Sequence, residues 1–349
     1  MIEARPSAPQ RKSRRGRVPL ATIAELAGVS SPTVSKVLNG RDGVGDATRH
    51  RVEELLRDHG YRRSPTDAGS GAVEVVVDQM LGSIATDILR GVAQVANQHG
   101  RTVTFADTRN QFGAGLSWIQ ALIERRPLGV ITVAAGVTAQ YAQMLTREQI
   151  PLVAIDPTGE LHAVPAVGSS NWSGALAATR HLLELGHRRI GVLTGPVKDL
   201  SARARVDGFR AALDHADIPH DGSLERRGVF TFDNGRDLAL QLLSLPEPPT
   251  AIACGDDLQA MGVYAAARQT GRRIPDDLSV AGFDDIDQAA WLSPALTTVR
   301  QPFAQMGAVA AEVLLDLAAG KALSRTRFEL DTSLIIRDST APPRSAPTP

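Results

Sequence analysis

The chain has 349 residues, 43% hydrophobic and 22% charged, which excludes a peptide, a wholly disordered polymer and a collagen-like repeat, and predicts two or three domains at roughly 150 residues each. Lys plus Arg (38) balance Asp plus Glu (38), yet residues 1–63 hold 13 cations against 7 anions, so a basic head precedes an acidic body and a polyanion partner is expected for the head alone. The single Cys254 excludes an intramolecular disulfide or thiolate zinc cluster, and no apolar run nears the roughly 20 residues that span a bilayer, so a cytoplasmic protein without a membrane is expected.

Residues 1–17 place Arg5, Arg11, Lys12, Arg14, Arg15 and Arg17 among Pro, Ser and Gly with little to bury, and read as a disordered basic arm. Residues 18–63 read as three short helices. Thr22 is positioned to cap the first, with Glu25 reaching back as a capping box. Gly28-Val29 supplies the turn, Ser30 caps a second helix over about Ser31 to Leu38, and Pro32 is tolerated in its first turn. Val29, Val34, Val37 and Leu38 face inward, leaving Ser31, Pro32, Thr33, Ser35 and Lys36 outside. Asp46 caps a third helix carrying Val52, Leu55 and Leu56 and ended by Gly60. The helix pair suits a helix-turn-helix whose second helix enters the major groove; a three-helix bundle that touches no nucleic acid has the same pattern.

Residues 64–72 read as a linker. Over 73–338, apolar runs (Val73 to Val77, Val103 to Ala106, Gly129 to Val133, Leu152 to Ile155, Ile190 to Leu193, Ala251 to Cys254, Ser279 to Phe283) alternate with helical periodicity, predicting α/β architecture with doubly wound parallel sheets, as one sheet or as two lobes with a cleft. Residues 339–349, rich in Pro, read as a disordered tail.

Carboxylate pairs at Asp256-Asp257, Asp276-Asp277 and Asp284-Asp285 admit an acid–base enzyme. Asp276 and Asp277 follow Pro275 and are more simply turn residues, whereas Asp256 and Asp284 each follow a strand, where an open α/β sheet offers its binding crevice. No Walker loop, Gly-X-Gly-X-X-Gly turn, His-Glu-X-X-His motif or nucleophile elbow occurs, so no catalytic residue, metal site or cofactor is expected. His181 and His187, beside a helix end, read as capping or solvated groups. Trp118 and Trp172 read as core packing unless they face a cleft, and Trp291 is unassigned.

The segment Leu20-Ala-Thr-Ile-Ala-Glu-Leu-Ala-Gly-Val-Ser-Ser-Pro-Thr-Val-Ser-Lys-Val-Leu-Asn39 closely resembles the headpiece of LacI/GalR-family repressors. Thr48-Arg49-X-Arg51-Val52, Gly60-Tyr61, Arg203-X-X-X-X-Gly208-Phe209, Ile274-Pro-Asp-Asp-Leu-Ser-Val-Ala-Gly-Phe-Asp-Asp285 and Pro294-Ala-Leu-Thr-Thr-Val-Arg-Gln-Pro302 extend the resemblance over roughly residues 18–338. It implies a DNA-binding head, a two-lobed periplasmic-binding-protein-like sensor and a homodimer on a palindromic operator. DNA-contacting positions are then Thr22, Ser30, Ser31, Pro32, Thr33, Ser35, Lys36 and Asn39, with Ser31, Pro32 and Lys36 reading bases. Lys36 stands where arginine is frequent and lacks its two-pronged fork. The linker Ser64-Pro-Thr-Asp-Ala-Gly-Ser-Gly71-Ala72 departs from the family by lacking the leucine that wedges into the minor groove, so a flexible tether is expected.

Asp156, Arg205, Phe230, Asp256, Asp284 and Gln301 match the family's effector-contacting places, with Phe230 as an aromatic platform and Asp256 replacing an amide seen in some relatives. Arg205 as a surface ion pair with Asp207, and Phe230 as core, are the plainer readings. The expected function is a repressor whose operator affinity is controlled by a small carbohydrate in the cleft; a purine-type corepressor and a stand-alone sugar-binding module are the alternatives. The helix from Ile84 to Ala96 is expected in the dimer face.

Overall fold

The computed structural model describes residues 19–38, 43–59, 71–77, 82–107, 117–134, 139–159 and 164–344. It divides into two compact units, 1–70 and 71–349. The basic arm, Asn39, Gly60-Tyr61 and most of the 64–72 linker lie outside the described residues.

The first unit holds α1 (Leu20–Ala27), α2 (Ser31–Leu38) and α3 (Asp46–Asp58) around Ile23, Ala24, Ala27, Val34, Val37, Val52 and Leu56. Gly28 closes α1 in the left-handed region at φ 65°, and the Val29 amide bonds Ala24 O at 3.0 Å. The proposed capping box is corrected: α1 begins at Leu20 with Pro19 at the cap, and the Thr22 amide bonds Pro19 O at 3.0 Å, so Thr22 lies inside the first turn. Proline holds the extended conformation that launches the helix three residues early. Asp46 is likewise the first helical residue rather than the cap; its charge faces the positive end of the α3 dipole.

The second unit has two lobes. Lobe 1 is a six-stranded sheet in the order β11-β5-β4-β3-β1-β2, from β1 (Val73–Val77), β2 (Val103–Asp107), β3 (Gly129–Val133), β4 (Leu152–Ile155), β5 (Ala166–Ser169) and β11 (Arg327–Leu330). Lobe 2 has the order β12-β10-β9-β8-β6-β7, from β6 (Ile190–Thr194), β7 (Glu225–Arg227), β8 (Ala251–Ala253), β9 (Ser279–Asp284), β10 (Thr297–Arg300) and β12 (Ser333–Ile335). Among the described residues the pairings are parallel, as expected of doubly wound sheets, except the edge pairing of β10 with β12. The chain passes between lobes after β5, after β10 and after β11, so three segments connect them.

Helices α4 (Ser83–Gln98), α5 (Ser117–Arg125), α6 (Ala139–Arg147) and α12 (Phe303–Ala318) belong to lobe 1; α7 (Asn171–Glu184), α8 (Leu200–His215), α9 (Phe232–Leu243), α10 (Asp257–Gln269) and α11 (Asp287–Trp291) belong to lobe 2. α4 lies so close to α12 that a Cβ on Gly91 would sit 1.8 Å from Ala304 O. Ile88, Val92, Val95 and Ala96 are therefore core, and only the side bearing Thr86, Arg90 and Gln94 is open to a partner, which narrows the expected dimer face. Trp118 packs edge-on to Tyr141 at 5.2 Å within lobe 1, while Trp172 and Trp291 are exposed.

The tail expectation is corrected over 339–344. The Val280 amide bonds Ser339 O at 2.9 Å, the Thr297 amide bonds Ser339 Oγ at 2.8 Å, and the Ala341 amide bonds Ser279 Oγ at 3.0 Å, so this segment supplies partners to the starts of β9 and β10. His187 is also corrected: only 1% exposed, it meets Thr250 Oγ1 at 2.9 Å through Nδ1, and Ser279 Oγ at 3.0 Å and Ala341 O at 2.9 Å through Nε2. Burial pushes its pKa down, keeping the imidazole neutral. His181 bonds Thr340 Oγ1 at 2.8 Å.

Candidate functional sites: an inter-lobe cleft and a solvent-facing helix

Carboxyl ends of parallel strands from both sheets converge on a cleft of ≈ 340 Å³, the place where open α/β sheets bind ligands. Asp156 follows β4, Asp256 follows β8, Asp284 ends β9, Gln301 follows β10, and Arg205 lies on α8. All six residues matched to effector-contacting places line this one cleft. Asp156 and Asp284 take positive φ (46° and 109°), a conformation costly for side chains other than Gly and Asn/Asp and concentrated at binding sites.

Arg205 organises lobe 2's wall. Its Nε donates to Asn171 Oδ1 at 2.8 Å, an Nη donates to Gly255 O, and the other lies 3.4 Å from Asp284 Oδ1. The guanidinium carbon stacks 3.9 Å from the Phe283 ring centroid and 5.7 Å from that of Phe230. At 8% exposure Arg205 is not a surface group, and Asp207 faces Arg210 instead. Phe230 lies against Gly195 and Gly255, where added Cβ atoms would meet its ring at 2.3 and 2.9 Å, and its ring borders the cleft as well.

Asp284 Oδ1 accepts from Gln301 Nε2 at 2.6 Å, and Gln301 Oε1 accepts from Ser169 Oγ at 2.5 Å, which carries the network from lobe 2 to the end of β5 in lobe 1. A second link crosses directly: Ser201 Oγ donates to Asp156 Oδ1 at 2.6 Å. Ser201 was missed as a site residue, although its place one turn before Arg205 on the same helix face signals it.

Burial raises the pKa of Asp156 against the Ser201 hydrogen bond. Burial, reinforced by the charge of Asp284, lifts Asp256 to about 7. Burial lifts Asp284 to about 6 despite Arg205 and Gln301. Near neutral pH this pair therefore offers both a donor and acceptors to hydroxyl groups.

The remaining carboxylates are structural. Asp257 Oδ1 accepts from Thr298 Oγ1 at 2.5 Å and Oδ2 from the Ile286 amide at 2.9 Å. Asp277 accepts from the Arg273 amide and Nε, and Asp285 binds Arg300 and Arg337. Each carboxylate pair thus contains a member committed to the fold, against an acid–base pairing. Among the described residues no cluster of His, Cys, Asp and Glu has metal-holding geometry, and no helix is long and apolar enough to cross a membrane.

In the head, Ser30 Oγ lies 2.8 Å from Thr33 Oγ1 and accepts from the Thr33 amide at 3.4 Å, so Ser30 caps α2. Ser31, Pro32 and Lys36 are exposed on that helix; Thr22, Thr33 and Ser35 are half-buried. The exposed side of α2 is therefore one cation among small polar and apolar groups.

Residues 20–64 match the model of bacterial regulatory proteins of the lacI family, and residues 179–340 match the periplasmic binding protein-like domain. The HTH-type transcriptional repressor CytR of Escherichia coli (strain K12) is 32% identical, over 94% of this chain and 98% of its own length. A solved complex of the transcriptional regulator CelR with cellobiose is 30% identical with a TM-score of 0.69, covering 93% of this chain and all of that one. The lac repressor dimer bound to operator and the anti-inducer ONPF is 28% identical with a TM-score of 0.69, over 93% of this chain and all of that one.

Proposed function

The chain belongs to the LacI family of bacterial regulatory proteins, and from that premise we propose a cytoplasmic homodimeric repressor whose hold on a palindromic operator is set by a small carbohydrate in the inter-lobe cleft. It is a ligand-controlled transcriptional repressor and not an enzyme. In this reading Ser31, Pro32 and Lys36 meet base edges, while Thr22, Ser30, Thr33, Ser35 and Asn39 meet phosphates or position the helix.

The observation that carries the effector site is the buried chain Arg205–Asp284–Gln301–Ser169, which joins the two lobes at the wall of the cleft. Hydroxyls that bond Asp284 compete with its bond to Gln301, which leads to Ser169 across the lobes, so a ligand here has different affinities for different lobe arrangements. Only such differential affinity transmits to a second site, and the coupling with operator is then reciprocal. Phe230 offers an apolar face to the C–H side of a sugar ring, and CelR, a relative of similar length, is solved with cellobiose.

The test is a thermal-shift screen of the full chain against free sugars and purines, followed by operator titration with each hit. A sugar that raises the midpoint and changes operator affinity supports the reading. Stabilisation by purines alone would replace the carbohydrate with a purine-type effector. At ligand concentrations about 1,000-fold above Kd the expected stabilisation is roughly 4 kcal/mol.

A further inference from the structure

Gln288 lines the cleft from α11, and its carboxamide Oε1 is buried with no hydrogen-bond partner among the described residues. Neighbouring polar groups are engaged: Asp199 and Asp256 cap helices, Asp257 holds Thr298 and the Ile286 amide, and Asp284 holds Gln301 and Arg205. A buried carbonyl without a donor destabilises the protein that carries it, and native structures rarely keep one without a use.

The backbone that carries Gln288 is fixed at both ends of its helix. The Ile286 amide bonds Asp257 Oδ2 at 2.9 Å and sets the start of α11. The Leu292 amide bonds Gln288 O at 3.2 Å, and the Leu296 amide bonds Ala289 O at 2.8 Å, which set its end. Leu258 and Ile286, on the same wall, offer no side-chain hydrogen bond that could replace the missing donor. The side chain is half-buried and borders the cleft, so rotation about its own torsions brings this unpaired acceptor to a ligand there.

We propose that Gln288 is a specificity-determining residue of the cleft, accepting a hydrogen bond from a hydroxyl or N–H donor of the effector. This rests on the cleft being the effector site, and it adds a functional group that the effector must carry: an ether or carbonyl oxygen alone at that position leaves Oε1 unpaired.

The experiment uses the full chain. Thermal shift first identifies which of a panel of free monosaccharides, disaccharides and nucleosides binds. Isothermal titration then compares that compound with its mono-deoxy or desamino analogues on wild type, Gln288→Leu and Gln288→Glu. Wild type is expected to bind one analogue about tenfold more weakly than the parent. Gln288→Leu binds both equally, and Gln288→Glu, which keeps an acceptor, retains the discrimination. The unliganded Gln288→Leu variant is expected to melt at or above the wild-type midpoint, because an unpaired carbonyl has been removed. Equal discrimination by wild type and Gln288→Leu overturns the proposal. So does a lowered unliganded midpoint, or an altered sedimentation-derived oligomeric state with selectivity intact, which assigns the oxygen to the fold or to a second subunit. If nucleosides bind and sugars do not, the carbohydrate reading fails while Gln288 is judged on the nucleoside analogues.

Discussion

On the head, Ser31, Pro32 and Lys36 project from an eight-residue helix into solvent, whereas in the body Arg205, Asp256, Asp284 and Gln301 are buried and bonded to the groups around them. A polyanion is met by charge that keeps its hydration until contact, and stability is indifferent to it. In the proposed reading a neutral polyol is met by desolvated groups whose orientation must already be held, so recognition and stability share the same bonds. Changes in the body should therefore move folding and ligand response together, and changes on the head should move DNA binding alone.

The largest expected effect is that of Arg205→Ala, which leaves Asp284 buried without its cation. Denaturant titration should show a loss of roughly 3 kcal/mol, and the ligand-induced thermal shift should vanish. Wild-type stability in this variant would break the comparison. Next is His187→Ala, which removes one partner each of Thr250, Ser279 and Ala341; a loss of about 2 kcal/mol is expected with ligand affinity unchanged, since His187 does not line the cleft. Limited proteolysis should then release the segment after Asp338.

Lys36→Ala should lower affinity for the preferred operator by about 1 kcal/mol while leaving unfolding within about 0.5 kcal/mol of wild type. An equal loss on random duplex would make Lys36 a phosphate contact. A further effect lies in the pH dependence. Asp256 (about 7) and Asp284 (about 6) sit above the ordinary 3.8, so the fold favours their protonated forms. That stabilisation is complete below the ordinary value and is lost as pH rises through 6 and 7. Asp256→Asn, which can still cap α10, should match wild type near about pH 4 and exceed it near about pH 8. His187 acts in the opposite sense in both proteins and cancels; parallel pH profiles would contradict the assignment.

Seven strands were legible as short, mainly apolar runs; six of them are buried on both faces, as in Val73–Val77 and Gly129–Val133, while β2 lies at a sheet edge and is partly exposed. The strands that escaped notice are of another kind. β7 reads Glu-Arg-Arg on an edge, and β10 buries Thr297 and Thr298, whose hydroxyls are satisfied by Thr340 and Asp257 from distant segments. The ordered 339–344 segment was hidden by the same non-local pairing, since its Pro-rich composition says nothing of Ser339 bonding Val280 and Thr297. Asp256 and Asp284 were legible as carboxylates following strands. Gln288 had no such sign, because a buried unpaired oxygen is a property of packing, and the inter-lobe bond between Asp156 and Ser201 likewise needs the two lobes in place.

Coupling between the cleft and the operator is tested most directly by fluorescence anisotropy of the full chain on a palindromic duplex at low salt, titrated with and without the compound that thermal shift identifies. Salt-sensitive binding whose midpoint moves severalfold with that compound, and stays fixed in Arg205→Ala while duplex binding persists, is the predicted result. A midpoint that ignores every compound that binds the body, or that shifts equally in Arg205→Ala, would contradict it.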